Sequence, residues 1–532
     1  MIQIRDLSLP FDHTEEEFQK AVADTLHISK EEILSFQLLR RSIDARKQTV
    51  RFVYTIAVSV KKEESALHRC RKNSAVTQYV PEAYSFVPTG TKTLAHRPVV
   101  VGSGPAGLFC ALSLAKAGYK PILLERGDDV DTRADKVTAF WSGDAPLDPS
   151  SNVQFGEGGA GTFSDGKLNT MVKDPHHRGR KVLETFVSYG APQEILYLQK
   201  PHIGTDHLKV IVKRMRQEIE TLGGEVRFRS QMTEIKMKEG HLTGLVLSSG
   251  EVLPCEVAVL ALGHSARDTF EMLYQCGLSM EAKSFAVGLR VEHPQEMIGR
   301  AQYKDAYAKL PPADYKVTHQ TSTGRGVYSF CMCPGGFVVN ASSEPGRIAV
   351  NGMSNYLRDG KNANSAIVVT VSPKDYHGED VLAGMYYQRR LEEAAYAAGE
   401  GQIPLQRLDD FLLHRKTTEL GEVLPNIKGG YTLCNLRDAV PDYLGDAIAE
   451  GMSAFGRKIK GFDRPDALFS GIESRTSSPI RMNRDDTLQS NIAGVYPCGE
   501  GAGYAGGITS AAMDGLRVYE AIATFYAPLK SR

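Results

Sequence analysis

Three glycines at positions 102, 104 and 107 stand directly behind the apolar run Pro98–Val101, with the spacing of a phosphate cradle. Each has a separate physical task. Gly102 permits a tight turn from strand to helix. Gly104 lets the backbone approach a pyrophosphate resting on the unpaired N–H groups and partial positive charge of a helix N-terminus, and Gly107 lets that helix lie close to its strand. Pro105 and Ala106 complete the turn, and Leu108, Ala111, Leu112 and Ala115 then recur at i, i+3, i+4 and i+7 as one packed helix face. Gly118 stops the helix. A second strand, Pro121–Leu124, ends at Glu125, about twenty residues on, where a carboxylate can accept hydrogen bonds from a ribose diol. A glycine turn alone says little, but strand, helix and acidic strand end together predict a bound dinucleotide.

The Pro-Ala pair inside these glycines resembles the version used by FAD enzymes, and two further segments agree. Val257–Leu262 followed by Gly263 resembles the strand and glycine that close an FAD domain. The run from Gly494 to Ile508 resembles a second FAD motif, in which Glu500 after Gly499 would bind the ribitol, although relatives more often carry Asp there. Gly506 and Gly507 would open a helix from Ile508, its dipole stabilising the anion that forms on a reduced flavin. Over its whole length the chain resembles a bacterial family of uncharacterised FAD-dependent dehydrogenases with plastid relatives. The carrying segments are Phe155–Leu168, Cys331–Gly336, Asn351–Asn355 and Glu473–Pro479. More distantly it resembles aminoacetone-oxidase-like and geranylgeranyl-reductase-like flavoproteins. The resemblance implies FAD as cofactor and a Rossmann domain split by an inserted substrate domain, and it names no substrate.

Flavin carries out electron transfer itself, so no catalytic acid–base pair is obligatory and none is identified. Gly158, Gly159, Gly161 and Thr162 are expected beside the ribityl chain and ring, with Arg126 and Met232 also touching the cofactor. Lys167, Asn169, Asn351, Asn355, Arg475 and Arg481 are the candidate substrate contacts, the two arginines suiting a carboxylate or phosphate. For the arginines, ion pairs with Glu473 and Asp485 are the competing account. Ser354 is a further hydrogen-bonding candidate, while His202 reads as part of a helix cap, and His176 and His177 as loop surface. Cys331 and Cys333 raise the idea of a redox pair. The familiar pairs are CxxC at a helix N-terminus, so two structural cysteines are expected instead. No second GxGxxG has the context of an NAD(P) domain, so a nicotinamide would have to bind transiently beside the flavin.

These residues must be positioned by an α/β chain of several domains. At 532 residues, two or three are expected. Residues 1–95 read as a ferredoxin-like βαββαβ module: strand Ile2–Leu9, a helix capped by Thr14, strands Ser35–Asp44 and Gln48–Val60, a helix over 64–73 and strand Ala75–Val80. The FAD-binding Rossmann domain is assigned to 97–280 and 461–532. A β-rich α+β substrate insert takes 281–460, with β-rich stretches over 285–292, 327–340, 347–352 and 366–371. Hydrophobic residues at 42% and a net charge of zero fit a globular protein without a general nucleic-acid footprint. The basic run Arg40, Arg41, Arg46, Lys47 and Arg51 leaves an RNA-binding or partner-docking role for the first module as the alternative. No apolar run long enough for a membrane span and no signal peptide are seen. Eight cysteines in such a chain read as reduced thiols, so a cytoplasmic enzyme without a metal site, acting on a small molecule, is expected.

Overall fold

Thr14 begins the first helix, Glu15–Leu26, in the way its neighbours dictate. Its side chain accepts from the Glu17 N–H at 3.2 Å while Glu17 accepts from the Thr14 N–H at 2.8 Å, a reciprocal cap. The structure is a computed structural model and describes residues 1–47, 49–81, 83–376 and 380–529. Strands Ile2–Pro10, Ile33–Asp44, Arg51–Val60 and Val76–Gln78 form one antiparallel sheet, with the first strand between the third and the fourth. With helix Glu63–Arg69, shorter than the 64–73 expected, this is the ferredoxin-like order. Gln48, where the third strand was expected to begin, lies outside the described residues, and pairing starts at Arg51. The module is fastened to the rest of the chain at its edge strand. The Arg41 N–H donates to the Tyr197 carbonyl at 2.7 Å, and the Arg41 carbonyl accepts from Gln199 at 2.9 Å.

Five short parallel strands make the dinucleotide sheet, ordered Val495–Pro497, Ala258–Leu260, Val99–Val101, Ile122–Leu124, Glu225–Arg227. The first of these arrives last in sequence, so the sheet is closed only after the chain has left it and returned. Helix Pro105–Lys116 and helix Ile508–Phe525 share one apolar core against this sheet. They approach very closely at Gly515, where a Cβ would stand 2.2 Å from the Ala106 carbonyl oxygen. Both helix N-termini therefore emerge side by side at the carboxyl edge of the strands, where such sheets bind their ligands.

The excursion builds a seven-stranded sheet in the order Thr318–Gln320, Gly326–Cys333, Asn362–Val371, Phe285–Pro294, Leu468–Glu473, Ile403–Arg407, Tyr431–Leu433. Strand Leu468–Glu473 lies near its centre, so the sheet draws on residues beyond 460, where the insert was expected to end. The β-rich stretch expected over 327–340 is two strands that part at Pro334-Gly335, where proline lacks an N–H and Gly335 takes φ +45°. Its second half, Phe337–Asn340, pairs with Val350–Met353 in a separate small sheet. Among the described residues no helix is long and apolar enough to cross a membrane.

Candidate functional site

The carboxyl ends of the parallel strands open on a cavity of about 370 Å³ whose other side is built by the seven-stranded sheet. Gly102, Gly104, Pro105 and Ala106 form one wall, and Gly159 and Gly161 of the second glycine loop face them. The two loops touch: a Cβ on Gly159 would stand 3.0 Å from the Gly104 Cα, and the Gly158 N–H donates to the Ser103 carbonyl at 3.0 Å. Gly107 sits behind this cradle, pressed on Gly102. Gly158 and Thr162, expected at the cofactor, line instead a small separate hollow with Phe109 and Val212. The glycine loop turns away from the cavity there, because the Thr162 hydroxyl is drawn to the Glu157 carbonyl at 3.3 Å.

Arg133 holds the second loop in place, and sequence reading missed it. Fully buried, it donates to the carbonyls of Asn152, Val153, Gly156 and Glu157 at 2.7–3.3 Å. Burial among neutral acceptors lowers its pKa to about 10, still leaving the guanidinium charged at neutral pH. The signal lay in the sequence, since Arg133 shares the inward stripe of its helix with Val130 and Val137.

Glu125 is buried and its carboxylate accepts four hydrogen bonds: from the Ser103 N–H and hydroxyl at 3.0 and 2.6 Å, and from the N–H groups of Gly127 and Gly156 at 2.9 and 3.0 Å. It ties both glycine loops to the strand end while lining the cavity. Arg126 beside it is clamped by Asp268 at 2.9 Å and lies over the Phe155 ring at 4.3 Å. Met232, Leu262 and Gly263 complete this end of the cavity.

At the other end, Gly499 is a support and does not line the cavity. Its N–H donates to the buried Asp514 at 2.8 Å, and Asp514 also binds Arg484 at 2.7 Å. This presents Glu500 to the cavity beside Gly507 and Ile508. Burial pushes the Glu500 carboxyl up from an ordinary 4.5 to about 7, with Lys283 opposing. The unfolded chain ionises this group first, so the folded protein should lose stability as pH rises from 4.5 through 7 and no further above. Glu500→Gln in the flavin-free protein should flatten that part of the thermal-stability profile. An unaltered profile would mean that the carboxyl is solvated.

Of the proposed substrate contacts, Lys167, Asn169, Asn351 and Arg475 line the cavity. Lys167 is about one-third exposed, 3.9 Å from the carboxylate of Asp165, which is itself paired with Arg358 at 2.5 Å. The Asn169 amide donates to the Gln199 carbonyl at 2.8 Å, and Asn351 Oδ1 accepts from Arg290 at 3.2 Å. Asn355 and Arg481 lie elsewhere. Asn355 caps a turn, its carbonyl accepting from the Arg358 N–H at 3.1 Å, and Arg481 pairs with Glu281 at 3.4 Å on a short sheet outside the cavity. The competing ion pairs with Glu473 and Asp485 are not formed either, since Glu473 is bound to Arg290 at 3.0 Å, Arg475 to Glu392 at 2.8 Å and Arg481 to Glu281. His202 Nε2–H donates to the Tyr356 carbonyl at 2.9 Å, and the following helix begins at Gly204 without a side-chain cap.

Arg475 belongs to a buried network that sequence reading also missed. Glu392 accepts from Arg267 at 2.7 and 2.8 Å, from Arg475 at 2.8 and 3.0 Å and from the Ser474 hydroxyl at 2.6 Å. Glu344 bridges Arg267 and Arg389, each at 2.7 Å. His264, on the cavity wall, is pushed well below its ordinary pKa by burial and by Arg475 and Arg267, and is neutral at pH 7.

The cavity fits the cofactor its motifs imply. At Gly263, Gly506 and Gly507 an added Cβ would meet nothing within 4 Å, so bare backbone borders open space at both ends of the cradle. Gly102, Gly104, Glu125 and Gly159 would hold the nucleotide half, and Glu500, Gly507 and Ile508 the flavin half. A parallel sheet with two glycine-turned helix N-termini and an acidic strand end defines the class of dinucleotide-binding flavoproteins.

Comparison with known proteins narrows that class. A family model described as FAD-dependent protein, C-terminal domain-like, matches residues 284–476. A model of NAD(P)-binding Rossmann-like domains matches 100–151, and a domain of unknown function matches 1–59. An uncharacterized protein of Clostridium beijerinckii is 49% identical over 528 residues, covering 98% of each chain. The chain belongs to the same family of FAD-dependent proteins as this relative. Among solved structures, a geranylgeranyl bacteriochlorophyll reductase-like protein of Thermoplasma acidophilum is 12% identical, covering 82% of this chain and 79% of that one with a TM-score of 0.35. The L-proline dehydrogenase of P. horikoshii is also 12% identical, covering 82% and 94% with a TM-score of 0.35. At these scores neither speaks to substrate.

Proposed function

We propose that this oxidoreductase is a dehydrogenase or reductase whose substrate is a small or lipid-like molecule, held between the dinucleotide domain and the seven-stranded sheet. The observation that carries the reading is the wall facing the Ile508 helix N-terminus. It is made by Phe330, Cys331, Asn351 and Glu473, apolar and polar groups from strands of the insert and the returning strand Leu468–Glu473, not from the parallel sheet. The reading divides the chain at about residues 95, 280 and 460–476, the insert serving as substrate domain.

FAD supplies two-electron chemistry at its ring when bound. The chain's own residues do the rest. The cradle N–H groups and Glu125 orient the nucleotide half. Glu500, titrating near neutrality, holds or releases a proton at its carboxyl oxygen on the cavity side. Lys167 offers a cation to a polar or anionic end of the substrate, while neutral His264 adds no charge. Electrons arrive from the substrate, from a transiently bound nicotinamide or from a protein donor.

The alternative roles of the first module draw less support. Arg41 lies over the Tyr197 ring at 5.5 Å, and Arg46 is paired with Asp44 at 2.7 Å, so part of the basic run is engaged within the chain. The test is an anaerobic visible spectrum followed through additions of NADH and NADPH. Rapid bleaching of the flavin band would make the protein a nicotinamide-fed reductase. A band that persists with both nicotinamides but bleaches with a screened substrate would make it a dehydrogenase. A protein that holds no flavin contradicts the reading.

A further inference from the structure

We propose that Cys331 and Cys333 form a dithiol–disulfide couple on the flavin-side wall of the cavity, exchanging two electrons with the flavin and with an external dithiol or disulfide. The proposal rests on the reading that FAD occupies this cavity. Regular alternation is interrupted at this pair, and the two thiols stay within hydrogen-bonding reach of each other. The pairing register passes from Phe330 opposite Ala366 to Cys333 opposite Asn364, so one extra residue is inserted, and Cys331 takes φ +44°, rare for a residue with a side chain. The Cys333 sulfur folds back to 3.4 Å from the Cys331 carbonyl oxygen.

Cys331 lines the cavity with Glu500, Gly507 and Lys167, whereas Cys333 is wholly buried behind it. Arg290, fully buried, reaches the Cys331 carbonyl at 3.3 Å and is fixed by Glu473 and Asn364. The Cys331 thiol is held below its ordinary pKa by a hydrogen bond from Cys333 and by the charges of Arg290 and Lys167, against its burial and Asp165. One accessible thiol activated by cations with a second thiol behind it is the arrangement of an attacking and a resolving cysteine. The other six thiols differ: all are raised by burial, including Cys498 on the cavity wall and its neighbour Cys110, and none is lowered by a cation and a second thiol together.

The electron balance closes without further reagents. Two thiols lose two electrons and two protons as the Cys331–Cys333 S–S bond forms, and oxidised flavin takes both. An external dithiol then opens that bond by exchange and leaves as its own disulfide, and the reverse sequence would reduce an external disulfide.

Two readouts test this on the full-length protein. First, the flavin-free chain is poised in glutathione buffers of graded ratio, alkylated and mapped by mass spectrometry. A reversible Cys331–Cys333 cross-link is expected, and two free thiols at every poise would overturn the proposal whatever the flavin does. Second, the flavin-loaded protein is treated anaerobically with dithiothreitol. Bleaching should be at least about tenfold slower in Cys331→Ser and Cys333→Ala than in the parent, while dithionite bleaches all three and shows that folded, flavin-loaded protein is present. Equal rates with dithiothreitol would overturn electron transfer through the pair. A missing flavin band in the dithionite control would instead overturn the cofactor reading on which the pair depends.

Discussion

Gly107→Ala is expected to leave a folded protein that no longer retains flavin. A Cβ at this position would stand 1.8 Å from the Gly102 carbonyl oxygen and 3.4 Å from the Ala261 Cβ. Neither neighbour can yield cheaply. Gly102 is in a left-handed turn at φ +102°, with its own missing Cβ only 2.3 Å from the Ala261 carbonyl oxygen. The helix must therefore retreat from its strand, carrying away the N–H groups that receive the pyrophosphate. Helix and sheet share a large apolar core with helix Ile508–Phe525, so the fold should survive the shift. We expect FAD affinity to fall by more than about 100-fold, roughly 3 kcal/mol, in a fluorescence titration, with circular dichroism unchanged. Flavin retention at the parent level would show that the first glycine motif does not contact the cofactor.

Glu392→Gln should have the largest effect on stability. The carboxylate is completely buried between Arg267, on the helix that follows the parallel sheet, and Arg475, just beyond strand Leu468–Glu473 of the seven-stranded sheet. Those two guanidiniums hold its pKa well below the ordinary carboxylate range, overcoming its burial. Making it neutral leaves two buried cations facing each other with Glu344 as their remaining near carboxylate. Breaking a buried pair in this way costs about 3–5 kcal/mol. The contribution of Glu392 is fully present above pH 4.5 and is lost as pH falls toward its folded pKa, so the deficit should be constant from neutral pH upward. Denaturant unfolding at two pH values above neutrality would measure it, and a deficit below about 1 kcal/mol would place the network in contact with solvent.

The cofactor end of this site was legible because local chemistry determines it. Gly102, Gly104 and Glu125 act within one strand–helix–strand unit, and the periodicity of that unit is printed in some thirty consecutive residues. The first module was legible for the same reason, its alternating strand and reciprocal Thr14–Glu17 cap both being local. The insert was less so. Strand Leu468–Glu473 pairs with residues almost two hundred positions earlier, and nothing near it in sequence announces that partner. The same distance hid the Arg267–Glu392–Arg475 network and diverted Arg481 to Glu281, since an arginine's partner is chosen by tertiary packing.

The measurement that most directly tests the account is a crystal structure of the protein with FAD bound. The account predicts the adenosine diphosphate across Gly104, Gly159 and Glu125. It places the isoalloxazine ring between the N-terminus of the Ile508 helix and the wall of Cys331, Asn351 and Glu473, with Glu500 beside it. A ring directed away from the seven-stranded sheet, or a cofactor bound outside the glycine cradle, would contradict it.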